Sequence, residues 1–532
     1  MKLDRVRYPI GEQSFRKLRE DGCVYVDKTH FIPELLWTSN FIFLSRPRRF
    51  GKSLLLSTIE AYFRGEKELF DGLWLGEHET EWTQYPVLHF DMTNTICKDA
   101  EQMNEYLLSR CEAYEVEYDL NLKPTTDLGV RFSNLIKGVK EKTGTRVVIL
   151  IDEYDKGILE TMDDPKRLEE MSVILRGFYS QPKAMSECVR FCMVTGVARF
   201  PNYTLFSGPN NLTDISMNKK FATLCGITQE EMLANFESGI EDIADDHDWS
   251  FDDTVEALRL KYDSYRFTRS KEKVYNPFSL LNAFTTTELD DFWVKSGTSK
   301  VFVKYLSNAN FDLLELQDLW VNKKRMEDIF KKNDSIPLLF QTGYLTIVDT
   351  RGDLFRLAIP NGEVRSALVE ELIPRYTGIS EDQLPVKLQN LREKLWSGDV
   401  EDWIVELQSI IGKIPHHLFV KPKKSEEEAE EDFRITHLEA TYHIIVNIIF
   451  QMVSIEARSE IAVSGGRIDM VIENKRYVYV IEYKLDGTPE EALKQIDEKG
   501  YLLSWSADGR QVFKIGIVFS SKNHTISSWK VV

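Results

Sequence analysis

The sequence predicts an α/β protein with two separate α/β units and an α-rich region between them. Three observations lead there. Four short apolar runs in the first 200 residues alternate with helix-like sequence. The texture then turns helical and aromatic. A charged, apolar-poor stretch finally precedes a second set of strand-like runs.

The four runs are Phe41–Ser45, Val87–Met92, Val147–Asp152 and Phe191–Gly196. Each is nearly continuous in apolar residues, as expected of strands buried on both faces of a mostly parallel sheet. They place a first domain at 1–227. From 228 to 420 helix-like stretches such as Gln229–Phe236 and Asp382–Leu395 dominate, with aromatic patches at Tyr262–Phe267 and Phe292–Tyr305. Spacing alone assigns this region no chemistry. Lys421–Asp432, KPKKSEEEAEED, reads as a solvated linker. The last domain, 433–532, is expected to run helix (His437–Met452), hairpin (Glu460–Lys484), helix (Pro489–Ser504) and strand (Val512–Phe519).

Composition narrows the function classes. A chain of 532 residues exceeds one ordinary core. No apolar run is long enough for a membrane helix, and the N-terminus lacks the apolar stretch of a secretory signal. The six cysteines form no CxxC pair, which argues against zinc and disulfide frameworks and for a reduced, cytoplasmic protein. A net charge of −18 argues against a simple nucleic-acid-coating module but not against an enzyme with a local basic groove.

The first candidate site is FIFLSRPRRFGKSLLLSTIEAYF, which reads strand, loop, helix. Gly51-Lys52-Ser53 is the tail of a phosphate-binding loop. Glycine lets successive backbone N–H groups face a phosphate, and the helix N-terminus adds partial positive charge. Lys52 would reach the β/γ-phosphates of ATP, and Ser53 would ligate Mg²⁺. The usual first glycine is replaced by Arg46, and Arg48 and Arg49 crowd the same loop as further cofactor-binding candidates. Downstream, Val147–Glu153 is an apolar strand ending in two carboxylates. Asp152 would hold Mg²⁺, and Glu153 would polarise the attacking water. At the tip of the next strand Thr195 would sense the γ-phosphate, and Arg199 would stabilise developing charge. A plainer reading makes Thr195 a strand end and Arg199 the partner of a surface acid.

The second candidate site is GGRIDMVIENKRYVYVIEYKLDGTPEEALKQIDEKGY. Side chains alternate along a strand, so Glu482 and Lys484 share a face, and a hairpin would set Asp469 beside Glu482. Adjacent carboxylates favour a cation between them, and oxygen donors suit Mg²⁺ or Mn²⁺. Such a metal would polarise a phosphodiester, with Lys484 stabilising negative charge. Thr488, Pro489 and Glu491 announce a capped helix that carries Gln495. Glu439 could add a carboxylate, or could be a first-turn glutamate placed by the helix dipole.

These residues together resemble bacterial AAA-ATPase-like proteins fused to a C-terminal PD-(D/E)XK nuclease domain. The resemblance rests on Tyr25-Val26-Asp27-Lys28-Thr29, on Arg46-Pro47-Arg48-Arg49-Phe50-Gly51-Lys52-Ser53 and on Asp152-Glu153-Tyr154-Asp155. It continues through Thr195–Phe200, Asn210–Asp214, Gly466–Asp469, Glu482-Tyr483-Lys484, Gln495-Ile496 and Tyr501. It implies a P-loop ATPase domain and a restriction-endonuclease-like α/β core centred on Asp469, Glu482 and Lys484, with Glu439 and Gln495 in support. In that family the RPRRFGKS loop is usual, and Ile468 stands where the superfamily's proline would be. The expectation is an ATP-controlled, Mg²⁺-dependent nuclease acting on DNA or RNA. The alternative is a nucleotide-dependent switch whose C-terminal domain binds nucleic acid or a partner without cutting. A homo-oligomer is compatible with either.

Overall fold

The computed structural model describes residues 6–93, 99–200, 212–295, 319–327, 329, 334–368, 383–414, 442–443, 445–446, 449–450, 453, 457–463, 466–505 and 509–532. The expected linker 421–432 and Glu439 lie outside them, as does most of the expected helix His437–Met452. Among the described residues no helix is long and apolar enough to cross a membrane.

The chain divides into two compact units, 1–311 with 318–363, and 312–317 with 364–532. This differs from the divisions at 227 and 420 read from composition. Helical texture marks amphipathic elements but does not say which sheet they pack on.

In the first unit, β1 (Phe41–Ser45), β2 (Val87–Asp91), β3 (Val147–Asp152), β4 (Val189–Gly196) and β5 (Thr213–Asp214) form a sheet in the order β2-β3-β4-β1-β5. All its pairings are parallel. All six residues of β3 are buried, which explains its unbroken apolar run. One face packs Phe90, Ile149, Ile151 and Val194 against the helices Ala100–Glu117, Leu128–Thr143 and Pro165–Tyr179. A second core, with Met232, Ile240, Leu258, Tyr275 and Phe284, joins helices of residues 229–286 to Tyr8, Val24 and Val26. The α-rich reading missed a three-stranded antiparallel sheet of β6 (Leu319–Asn322), β7 (Thr346–Arg351) and β8 (Leu354–Ala358), ordered β6-β8-β7.

In the second unit, β9 (Ala457–Val463), β10 (Gly466–Glu473), β11 (Tyr477–Leu485), β12 (Gln511–Ser520) and β13 (Thr525–Val531) lie in the order β13-β12-β11-β10-β9. Only β11 and β12 run parallel. Tyr479, Ile481 and Tyr483 face a core shared with Leu391, Trp403 and Leu407 of the helices Leu384–Ser397 and Val400–Ile411. Val478 and Val480 face the other way, toward Leu493 and Ile496 of the helix Pro489–Glu498. That helix begins with the expected capping box between Thr488 and Glu491. It ends before Ser504, because Gly500 takes a left-handed turn (φ +62°) into a short 3-10 segment, Tyr501–Trp505.

Candidate nucleotide and carboxylate sites

The loop after β1 turns at Arg49 (φ +68°) and Gly51 (φ +89°), and the helix Lys52–Phe63 follows. It opens on a cavity of about 530 Å³, a volume typical of small-molecule sites. Its lining includes Arg48, Arg49, Gly51, Lys52 and Ser53 of the loop, Glu153 and Lys156 after β3, and the aromatic residues Phe278, Trp293 and Tyr344. Lys52 is 5% exposed, and its Nζ donates to the carbonyls of Arg46 and Pro47 at 3.0 Å each. An incoming phosphate would compete for that ammonium.

Asp152 is buried beside the loop, where its Oδ1 accepts from Thr195 Oγ1 at 2.5 Å and from the Glu153 N–H at 2.9 Å. Glu153 takes a left-handed conformation (φ +51°), unusual for a side-chain-bearing residue and common at functional sites. Thr195 therefore fixes the carboxylate of Asp152. The sequence reading gave Asp155 no role, yet it is central here. Its Oδ2 accepts from the N–H groups of Val197 at 2.8 Å and Ala198 at 2.6 Å, so β3's exit holds β4's exit. Burial raises its carboxyl to about 6, against the lowering effect of those hydrogen bonds. Gly196 is required at this joint, because a Cβ would lie 2.6 Å from Asp155 Oδ1.

Two of the candidate arginines have partners within the protein, and Arg46 sits differently from its sequence reading. Arg46 is buried, with Nη1 donating to Ser45 O and Ser216 O at 2.8 Å and Nη2 to Phe221 O at 3.1 Å. Its guanidinium also lies over the Phe267 ring at 4.7 Å. It braces the loop from behind instead of facing the cavity, because those carbonyls need a buried donor. Arg199 pairs with Asp214 at 3.0 Å and with Glu327, which matches the plainer reading.

Residues beyond 227 grip the loop. Trp293 Nε1 donates to Arg48 O at 3.2 Å, and Arg49 lies over Phe278 at 4.8 Å. Phe50 packs edge-on against Tyr265 and Phe267, and Gly343 abuts Pro47. Trp293 is held in turn through its own N–H, which donates to Glu363 at 2.7 Å. The Tyr25–Thr29 motif is a brace as well. Asp27 accepts from Thr29 N at 2.8 Å and Trp74 N at 2.7 Å, and Lys28 pairs with Glu231 at 2.5 Å.

In the second unit, Met470 pairs with Ile481 across β10 and β11, and this register carries Asp469 to the side of Glu482. The Tyr483 N–H donates to Asp469 Oδ2 at 2.8 Å. Glu482 is 2% exposed, and its Oε2 is buried with no hydrogen-bond partner. Desolvation first, and Asp469 second, raise its carboxyl to about 7. Gln495 bridges the cluster: its Oε1 accepts from Lys484 Nζ at 2.6 Å, and its Nε2 donates to Glu482 Oε1. Lys484 Nζ lies 3.6 Å from Glu482 Oε1. Gly516 of β12 pairs with Glu482 and lets the helix come close, since a Cβ there would meet Pro489 O at 2.6 Å. A buried carboxylate oxygen without a donor, next to a second carboxylate, fits a hard divalent cation. Among the described residues no third acid, histidine or cysteine joins the pair.

Comparison with known proteins agrees with this division of chemistry. Residues 9–206 match the family described as "Predicted AAA-ATPase", and residues 437–529 match the PD-(D/E)XK nuclease superfamily. A relative from Azotobacter chroococcum mcd 1, "Uncharacterized protein in vnfD 5'region", is 31% identical over 544 residues, covering 99% of both chains. The chain belongs to the family of AAA-ATPase-like proteins with a C-terminal PD-(D/E)XK nuclease superfamily domain. The AAA-ATPase-like match ends at 206, so Phe278, Trp293 and Tyr344 wall the cavity from beyond it. Asp469, Glu482, Lys484 and Gln495 all fall within the nuclease-superfamily match.

Proposed function

We propose that the protein binds and hydrolyses ATP and cleaves phosphodiester bonds of DNA or RNA at a metal-dependent site, with nucleotide state controlling cleavage. The observation that carries the cleavage reading is the buried Glu482 beside the half-buried Asp469, with Lys484 held next to them by Gln495.

At the nucleotide cavity, Lys52 would exchange its two loop carbonyls for phosphate oxygens. Ser53 and Asp152 would hold Mg²⁺, with Thr195 orienting the Asp152 carboxylate. Glu153, in the cavity lining, would accept the proton of the attacking water. At the second site, Asp469 and Glu482 would hold Mg²⁺ or Mn²⁺. Lys484 would face the charge that develops on the phosphate, and Gln495 would fix its ammonium. A divalent ion, when bound, supplies Lewis-acid polarisation of phosphoryl oxygens at either site.

The test incubates purified protein with supercoiled plasmid, linear DNA and RNA, with Mg²⁺ or Mn²⁺, with and without ATP. Asp469→Ala and Lys52→Ala run alongside. Cleavage should vanish in Asp469→Ala and lose its ATP response in Lys52→Ala. ATP hydrolysis without cleavage in any lane would replace this reading with the nucleotide-switch one.

A further inference from the structure

The three-stranded sheet of the first unit has one buried and one solvated face. Val321, Ile347, Phe355 and Leu357 are buried, whereas Asn322, Val348, Arg351, Leu354 and Arg356 are exposed. Register aligns Asn322 with Leu354 and Leu354 with Arg351, so these three cross one end of the sheet. The chain leaves β6 at that end through Lys323 and Lys324, both exposed.

A cleft of about 320 Å³ lies there, lined by Met217, Arg269, Asn322, Lys323, Lys324, Asp353 and Phe355. Its lining holds three cations and one carboxylate, in a chain with 85 acidic and 67 basic residues. The arginine is held in place. Its Nη1 donates to Gly352 O, and its guanidinium lies over the Phe355 ring at 4.5 Å. A stacked, anchored arginine loses little freedom on meeting a phosphate. Asp353 is fully exposed at 3.7 Å from Arg269, and Lys323 is 3.7 Å from Glu327; both are loose surface pairs that a phosphate can displace.

We propose that this cleft binds the phosphodiester backbone of single-stranded nucleic acid, separately from the nucleotide cavity and from Asp469 and Glu482. A phosphate would sit between Arg269 and the two lysines, and the chain would run along the row of Arg351 and Leu354. The three strands span only about 10 Å, too narrow a platform to follow a duplex groove and adequate for a few nucleotides of single strand. The portion of the chain to which composition assigned no chemistry thereby becomes the substrate reader.

The experiment measures fluorescence anisotropy of labelled single-stranded and duplex oligonucleotides with the full-length protein, in EDTA and without nucleotide, across a salt series. Lys323→Gln with Lys324→Gln is the test variant, and its thermal midpoint reports folding. Single-strand affinity should fall about tenfold at low salt. The slope of log affinity against log salt should shrink by about 1.4, from about 0.7 per lost phosphate contact. Unchanged affinity and slope would overturn the proposal, as would a wild-type protein that binds no single strand. Loss of duplex binding alone would overturn the single-strand assignment. Asp469→Ala, measured in parallel, should retain the lysine-dependent component, so failure of the nuclease reading and failure of this site give different results.

Discussion

The indole Nε1 of Trp293 donates to the carbonyl oxygen of Arg48 at 3.2 Å, and this bond fastens the loop after β1 to a residue far outside the AAA-ATPase-like match. The backbone N–H of Trp293 is tied to the buried carboxyl of Glu363, which also accepts from Ser279 Oγ at 2.8 Å. A line of hydrogen bonds thus runs from Glu363 through Trp293 to the loop. Ser279, Trp293 and Glu363 therefore have a direct hold on the loop backbone.

Trp293→Phe keeps most of the ring and removes the indole donor. One neutral hydrogen bond contributes about 1 kcal/mol, so ATP affinity should weaken about fivefold. Hydrolysis at saturating ATP should change less, because Glu153 and Asp152 are untouched. A fluorescent-nucleotide titration beside steady-state hydrolysis separates the two effects. Equal affinity in variant and wild type would remove Trp293 from loop positioning.

Arg46 and Arg48 should separate into stability and binding. Arg46→Lys replaces a planar donor with a single ammonium and strands carbonyls of Ser216 or Phe221. It should cost roughly 2–4 kcal/mol of stability. Arg48 is exposed at the cavity, so Arg48→Gln should leave stability within about 0.5 kcal/mol and weaken ATP binding. Chemical denaturation and nucleotide titration of both variants check this.

Gly343 has a positive φ of +93°, and a Cβ there would lie 2.8 Å from Pro47 Cβ. Gly343→Ala should therefore destabilise the first unit by roughly 1–3 kcal/mol and displace the loop. Differential scanning calorimetry and ATP affinity should both respond. A stability loss with intact affinity would mean that Pro47 moves without disturbing Lys52.

What the sequence discloses depends on how local the signal is. Phe41–Ser45 and Val147–Asp152 appear at their expected bounds, because strands buried on both faces carry unbroken apolar runs. The placement of Asp469, Glu482 and Lys484 together follows from strand alternation, whereas Gln495 is expected there only from the resemblance. The grip of Trp293 on the loop has no such signal, because its acceptor is a backbone carbonyl common to all residues. Arg46 took its expected role from its place in a motif, while its actual partners, the carbonyls of Ser216 and Phe221, are distant in sequence. Strands such as Leu354–Ala358 are short and charged on one face, so they blend into helical text.

Glu482 makes the second site sensitive to pH, and the direction follows from its environment. Its carboxyl rises from 4.5 to about 7 because the charged form is desolvated and faces Asp469. Below the unfolded value both folded and unfolded chains hold the proton, and Glu482 costs nothing. As pH rises toward 7 the unfolded chain releases the proton first, so stability falls through that window and the cost is complete above it. Without metal, Glu482→Gln should stabilise the second unit at about pH 8, by on the order of 1–3 kcal/mol, and should do little at about pH 4. A divalent cation competes with the proton for the same carboxylates. Mg²⁺ should therefore raise the wild-type thermal midpoint more at about pH 8 than at about pH 6, and should not do so in Glu482→Gln. Thermal denaturation across this range, with EDTA and with Mg²⁺, reads both effects. A metal response independent of pH would mean that Glu482 keeps its proton and that the cation, if bound, takes other oxygens.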